Sequence, residues 1–282
     1  MPSLHSDITT RLAPISDTPA LDASVLLAHL VNKPRTWVMA HAELTLSPEQ
    51  QKQLGDALAR LGNGEPFPYV LGHWEFFGLD FDVTPDVLIP RPETELLVEK
   101  AIAWLQQSPA GKTIVDIGTG SGAIAISLAV NVPDADILAT DISSKALQVA
   151  KRNAGKHGVS NRIEFVECDL LPHPQPLSQW ERGVNLLSAN LPYIPTKTLS
   201  RLPIFGREPT VALDGGEDGL DPIQRLMKIA PAWLAPNALM LFEIEAALGE
   251  QILDLASHSF PNARIQLHQD LTNRDRLLEI QL

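Results

Sequence analysis

Cysteine is nearly absent from this chain: Cys168 is the only one in 282 residues. An internal disulfide is therefore impossible and a cysteine-rich zinc site is excluded; a reducing compartment suits such a chain best. A basic segment is also lacking. Aspartate and glutamate number 34 against 22 lysine and arginine, and residues 1–90 and 91–282 each carry a net charge of -6. Holding a phosphate backbone requires concentrated positive charge, so direct nucleic-acid binding is not expected. No window approaches the roughly 20 apolar residues of a membrane span, and no basic stretch followed by an apolar run opens the chain. The expectation is a soluble, cytoplasmic protein with no membrane partner. The eight histidines show no spacing that suits a metal or a catalytic pair, so no metal is expected.

What the chain does have is ordinary globular composition, 44% hydrophobic and 20% charged. Its patterning changes along its length. Residues 1–65 read as a small helical bundle. Thr18-Pro19 suits an N-cap with proline at the first helical position, and Ser47-Pro48-Glu49-Gln50 is a capping box ahead of Leu54, Leu58 and Leu61 on one face. Residues 66–92, with aromatics and β-branched residues around Gly72, Gly78 and Pro85, suit a β-hairpin connector.

Residues 93–282 alternate helices with buried strands. Apolar runs at Thr113–Ile117, Ile137–Thr140, Ile163–Glu167, Val184–Ala189 and Ala238–Phe242 predict a mostly parallel, doubly wound α/β sheet. Arg264–His268 and Arg276–Leu282 are close enough to form an antiparallel pair at one edge. Pro172–Gly183, with three prolines and no periodicity, reads as a surface loop with no assigned function.

The first strand of this domain runs into Asp116-Ile117-Gly118-Thr119-Gly120-Ser121-Gly122. Glycines at a strand-to-helix turn let the backbone approach a ligand closely. Asp141 ends the second strand, where a carboxylate can accept both hydroxyl hydrogens of a ribose, and Asp169 ends the third. Three carboxylates at adjacent strand ends line the crevice where open α/β sheets bind ligands, and an adenosine-containing ligand follows. Gly118-x-Gly120-x-x-Ala123 also satisfies a loose dinucleotide fingerprint. Asp116, two residues before the first glycine, argues instead for S-adenosyl-L-methionine, because an acid there would repel a pyrophosphate but can meet the methionine ammonium.

The fourth strand leads into Asn190-Leu191-Pro192-Tyr193-Ile194-Pro195. A planar amide or aromatic amine is a poor nucleophile because its lone pair is delocalised. Methylating it calls for acceptors that hold both N–H hydrogens and aim the lone pair. The Asn190 side-chain oxygen and the Leu191 carbonyl can serve, with Tyr193 packing on the planar group.

At these residues the chain resembles the peptide chain release factor glutamine methyltransferase family. The likeness extends over Gly64-Glu65-Pro66, Val87-Leu88-Ile89-Pro90-Arg91-Pro92-Glu93-Thr94-Glu95, the Asp116 loop, Asn190–Pro195, Arg207-Glu208-Pro209 and Leu213–Leu220. It implies a class I methyltransferase domain behind an N-terminal helical domain that docks the release factor. It also implies methylation of the glutamine amide (N5) in the Gly-Gly-Gln motif of class I peptide chain release factors. By motif match, Asp116, Gly118, Thr119, Gly120, Ser121, Gly122, Asp141, Asp169, Leu170 and Asn190 would contact the cofactor. Asn190, Leu191, Pro192 and Tyr193 would hold the glutamine and form the catalytic set.

Two positions depart from the family pattern. Leu191 stands where the family usually has proline, and Glu245 where it commonly has glycine. Asn-Leu-Pro-Tyr is also the form used by ribosomal RNA adenine dimethyltransferases, so N6-adenine methylation of RNA or DNA is one alternative. A non-catalytic module that binds S-adenosylmethionine or a release factor is another. No general base is evident. The resemblance places Arg91, Glu93 and Thr94 near the entry of the catalytic domain, but they serve equally well to cap the start of a helix and stand outside the catalytic set.

Overall fold

The computed structural model describes residues 3–107, 112–172 and 183–282, so most of the proline-rich segment 172–183 lies outside the described residues. The chain divides into two units, Met1–Gly72 and His73–Leu282.

In the first unit the described residues form α1 (Leu4–Leu12), α2 (Pro19–Val31), α3 (Arg35–Ala40), α4 (Pro48–Gly62) and α5 (Phe67–Leu71). Ser47 and Gln50 make the expected capping box at the start of α4, satisfying two amides that the helix cannot satisfy itself. Leu54, Leu58 and Leu61 are buried, as their spacing along one helical face requires. Thr18 differs from expectation. Its hydroxyl donates to Asp22 rather than accepting a helix amide, so α2 starts on its proline without a side-chain cap.

The stretch 66–92 divides differently from the expected hairpin connector. Pro66-Phe67-Pro68 starts a helical turn, α5, which Gly72 ends in a left-handed conformation with φ of 79°. Only then come β1 (His73–Phe76) and β2 (Leu79–Asp82), paired antiparallel through a two-residue turn in which Phe77 and Gly78 both have positive φ. The unit boundary accordingly falls at 72/73 rather than 65/66. Phe76 and Phe81 of this hairpin are fully buried in the core of the second unit.

The rest of the second unit runs α6 (Glu95–Gln107), β3 (Thr113–Ile117), α7 (Ala123–Asn131), β4 (Asp136–Asp141), α8 (Ser144–Lys156), β5 (Ile163–Glu167), β6 (Val184–Ala189), α9 (Thr196–Leu199), α10 (Asp221–Ile229), β7 (Leu234–Glu243), α11 (Gly249–Ser259), β8 (Arg264–Gln269) and β9 (Asp275–Gln281). The sheet order is β5-β4-β3-β6-β7-β9-β8. Strands β3 to β7 pair in parallel, and β9 and β8 add the antiparallel edge expected from the C-terminal pattern. This is the class I methyltransferase fold.

Side chains alternate across each strand, so the sheet has two cores. Ile114, Leu186, Leu239 and Leu241 pack on the face shared with α6 and α7. Val115, Leu187, Met240 and Phe242 face the layer containing α10 and α11. From β3 the chain passes to β4 and β5 on one side, then returns to β6 on the other. That reversal opens a crevice at the C-terminal strand ends.

Candidate active site

A cavity of about 250 Å³ occupies that crevice. Gly118, Gly120, Asp141, Asp169, Leu170, Asn190, Leu191 and Pro192 are among the residues lining it, with Ile142 and Ala146 as further apolar surface. Asp141 is held from two directions: Oδ2 accepts the Gly120 N–H and Oδ1 the Ser143 N–H, both at 2.9 Å. Each oxygen keeps a second lone pair for a ligand hydroxyl. Burial raises the Asp141 pKa, and these backbone donors oppose the rise. Gly118 has φ of 70°, and a β-carbon there would press on Leu191 Cδ2 at 3.3 Å, so the loop seals against the wall of the cavity with no side chain in between. Leu170 is the strained member, a buried leucine at φ of 66° whose carbonyl accepts the Thr140 hydroxyl at 2.6 Å. Asp169 is ion-paired with Arg225 at the rim. Cys168 also lines the cavity, and burial pushes its thiol up to about 11.

Asp116 does not line the cavity. It is fully buried at the end of β3, where Oδ2 accepts the Thr119 hydroxyl at 2.7 Å and Oδ1 the Ser188 hydroxyl at 3.0 Å. Burial pushes its carboxyl up to about 6 despite those donors. Its contacts in this structure therefore brace the glycine loop rather than face a ligand ammonium. Thr119, Ser121 and Gly122 of the same loop likewise fall outside the cavity lining.

Around Asn190 the strand order creates a polar cluster in an apolar setting. Ala189 pairs with Phe242, which brings Asn190, one residue past β6, beside Glu243 at the end of β7. Glu243 is buried, accepts the Thr94 hydroxyl at 2.5 Å on Oε2, and accepts the Tyr193 phenol at 3.3 Å on Oε1. The Asn190 amide in turn donates to Thr94 Oγ1 at 3.1 Å. Burial pushes Glu243 up to about 7, against the pull of Thr94, Tyr193 and Arg276. Burial also raises the Tyr193 pKa, and the neighbouring Glu243 adds to it. Tyr193 lines a separate small space beside the cavity together with Glu243, and Leu191-Pro192 form the wall between the two.

Residues 4–72 match a sequence profile described as the PrmC N-terminal domain, and residues 108–193 match a methyltransferase domain. The release factor glutamine methyltransferase of Moorella thermoacetica is 43% identical over 92% of this chain and 90% of its own length. The enzyme of the same name from Coxiella burnetii is 39% identical over 88% of this chain and 87% of its own. The chain belongs to the release factor glutamine methyltransferase family. Among solved structures, a methyltransferase from Pyrococcus furiosus superposes with a TM-score of 0.52 at 15% identity, covering 83% of this chain and 98% of that one. The hMettl16 catalytic domain, solved with an MAT2A 3′UTR hairpin, gives 0.55 at 16% identity over 72% of this chain and 76% of its own. Both share the fold.

As a release factor glutamine methyltransferase family member, the chain shows what its specific motifs do physically. Glu208 is buried; it receives the Ile89 N–H at 3.0 Å and Arg91 Nη2 at 2.5 Å, so the Arg-Glu-Pro and Ile-Pro-Arg runs lock together. The Gly-Gly-Glu-Asp-Gly-Leu run lies along the strand-end motif. The Ile194 N–H donates to the Leu213 carbonyl at 3.1 Å, and the Gly215 N–H donates to the Ile194 carbonyl at 2.9 Å. Gly219 has φ of 84°, and a β-carbon there would collide with the Tyr193 carbonyl oxygen. Glu245, where the family commonly has glycine, lies 3.8 Å from Arg276, which also bonds Asp270.

In the sequence Thr94 reads as part of a helix start, and Glu243 is not singled out as a site residue. The available signal was a single acid inside the apolar run Leu239-Met240-Leu241-Phe242-Glu243-Ile244, a position where burial of charge calls for partners.

Proposed function

We propose that the chain transfers the methyl group of S-adenosylmethionine to the side-chain amide nitrogen of the glutamine in the Gly-Gly-Gln motif of class I release factors. Asn190 carries this reading: it stands at the lip of the cavity with its NH2 group taken by Thr94 and its oxygen left to accept from a substrate amide.

The cavity residues fit the cofactor. Asp141, prearranged by two backbone amides, suits a ribose; Ile142, Ala146 and Leu170 offer an apolar surface to an adenine ring; and the side-chain-free loop at Gly118 and Gly120 admits the remainder. When bound, S-adenosylmethionine supplies an electrophilic methyl group on a positively charged sulfur. The chain's own task is then positioning. The Asn190 oxygen and the Leu191 carbonyl accept hydrogen bonds from the two amide N–H groups, holding the nitrogen in place and drawing electron density toward it. One of those protons leaves to water once the methyl group is transferred. Pro192 biases Leu191 to an extended backbone, which keeps that carbonyl available. The proposed role of the N-terminal unit is to grip the release factor, so that binding energy gathered away from the amide helps to orient it.

Incubation of the purified chain with S-adenosylmethionine and a class I release factor is expected to add one methyl group to the Gly-Gly-Gln glutamine, located by peptide mass spectrometry. Asn190→Ala is expected to retain cofactor binding while losing on the order of 3 kcal/mol of transition-state stabilisation. Methylation of adenine in RNA, with the glutamine untouched, would reject the reading.

A further inference from the structure

An asparagine can turn either its oxygen or its NH2 group toward a substrate, and only the oxygen can accept from a glutamine amide. Rotation by a half-turn exchanges the two at almost no steric cost. Something must therefore choose, and the buried cluster behind Asn190 contains the means.

An ionised carboxylate has lone pairs and no hydrogen to give. Thr94, 2.5 Å from Glu243 Oε2, must direct its one hydroxyl hydrogen there. The Thr94 oxygen then has only lone pairs for its other neighbour. The Asn190 amide, 3.1 Å away, satisfies it by presenting Nδ2, and Oδ1 is turned outward. Thr94 is 4% exposed and Glu243 likewise 4%, so water has little access with which to scramble these directions. The same carboxylate receives the Tyr193 phenol on its second oxygen, which ties both ends of the Asn190–Tyr193 motif to one anion.

We propose that Thr94 and Glu243 are positioning residues, a one-way hydrogen-bond relay that holds the Asn190 amide with its oxygen toward the substrate glutamine. The proposal rests on the glutamine-methylation reading above. It assigns a task to the Pro-Glu-Thr-Glu run and to the acid at the end of β7.

The relay has a built-in polarity that protonation reverses. Neutral Glu243 carries an O–H and can donate to Thr94, which is then free to donate to Asn190 and draw Oδ1 inward. The groups facing this carboxyl come from three directions: Thr94 and Glu93 ahead of α6, Tyr193 after β6, and Arg276 on β9, with Glu245 beside Arg276. Arg276 favours the anion and Glu93 opposes it.

The test uses the full chain, S-adenosylmethionine and a short Gly-Gly-Gln peptide, with cofactor affinity measured by calorimetry alongside kcat and KM between pH 6 and 9. Thr94→Val replaces the hydroxyl with a methyl of similar shape. Loss of alignment is expected to lower kcat on the order of a hundredfold, with cofactor affinity unchanged and peptide KM moved much less. Thr94→Ser, which restores the hydroxyl, is expected to regain most of the rate. The wild-type kcat is expected to fall as pH drops below about 7, where Glu243 takes up its proton, and that acid limb is expected to shrink in Thr94→Val. The relay is overturned if Thr94→Val turns over like the wild type, if Thr94→Ser is as impaired as Thr94→Val, or if cofactor affinity falls in step with rate. A wild-type chain that leaves the glutamine unmethylated sinks the functional reading itself, whereas normal methylation with an unimpaired Thr94→Val sinks only the relay.

Discussion

The Gly120 amide donates to Asp141 Oδ2 at 2.9 Å, so the glycine loop after β3 and the carboxylate ending β4 are one preassembled unit. Loop order and, in the function proposed above, ribose recognition depend on the same side chain.

Asp141→Ala is accordingly expected to weaken S-adenosylmethionine binding by more than a lost ligand contact alone. Hydrogen bonds to a charged acceptor contribute roughly 1.5 to 3 kcal/mol, which sets a fall of about tenfold or more. Titration calorimetry checks this, and NAD is expected not to bind. Unchanged affinity in the variant would remove Asp141 from the binding site.

Leu191→Pro restores the residue usual in the family. Leu191 Cδ2 abuts Gly118, so the exchange removes packing from the loop while stiffening the backbone that presents the carbonyl. Turnover at saturating cofactor is expected to hold or rise, with a modest loss in cofactor affinity. A collapse in kcat would show a pocket rebuilt around leucine.

Gly219→Ala forces a side chain against the backbone of Tyr193 at φ of 84°. Left-handed backbone alone costs alanine about 1–2 kcal/mol, and the displaced strand end adds to it. Both a lower melting temperature and a lower kcat are expected. Gly206→Ala is the control: its φ is 73° but nothing lies within 4 Å, so stability should drop while kcat stays.

Glu243→Gln is expected to trade rate for stability. The folded chain holds the Glu243 proton up to about pH 7, whereas the unfolded chain releases it near 4.5. Between those values the folded state binds more protons, so stability falls as pH rises through that window and stays lower above it. A neutral glutamine avoids that loss. Thermal melts at pH 8 are expected to favour the variant by on the order of 2–3 kcal/mol, and melts at pH 4.5 to show little difference. A variant less stable than wild type at pH 8 would mean that the anion is better solvated by its partners than its burial suggests.

Much of this architecture was legible because it is local. Alternation and chain order sufficed for the parallel strands, the Ser47 capping box and the antiparallel C-terminal pair. The turn at Phe67–Leu71 was harder, since aromatics that signal a strand also pack well on a short helix once Pro66 and Pro68 set its start. The Thr94–Glu243 bond joins residues 149 apart. It arises from the packing of the start of α6 against β7, and no spacing rule within either segment reports it. Asp116 illustrates the converse: its place in the motif was plain, yet only the burial of Thr119 and Ser188 beside it reveals a brace.

Cys168 has a consequence for how this chemistry tolerates its surroundings. With the thiol pushed up to about 11 by burial, the thiolate, which is the form that oxidants and alkylating reagents attack, is disfavoured at neutral pH. The single sulfur of a cysteine in the chain thus sits against the cavity in a chemically quiet state. Peroxide and disulfide reagents are accordingly expected to modify Cys168 slowly, so that a sulfur placed against the crevice adds little redox sensitivity to it.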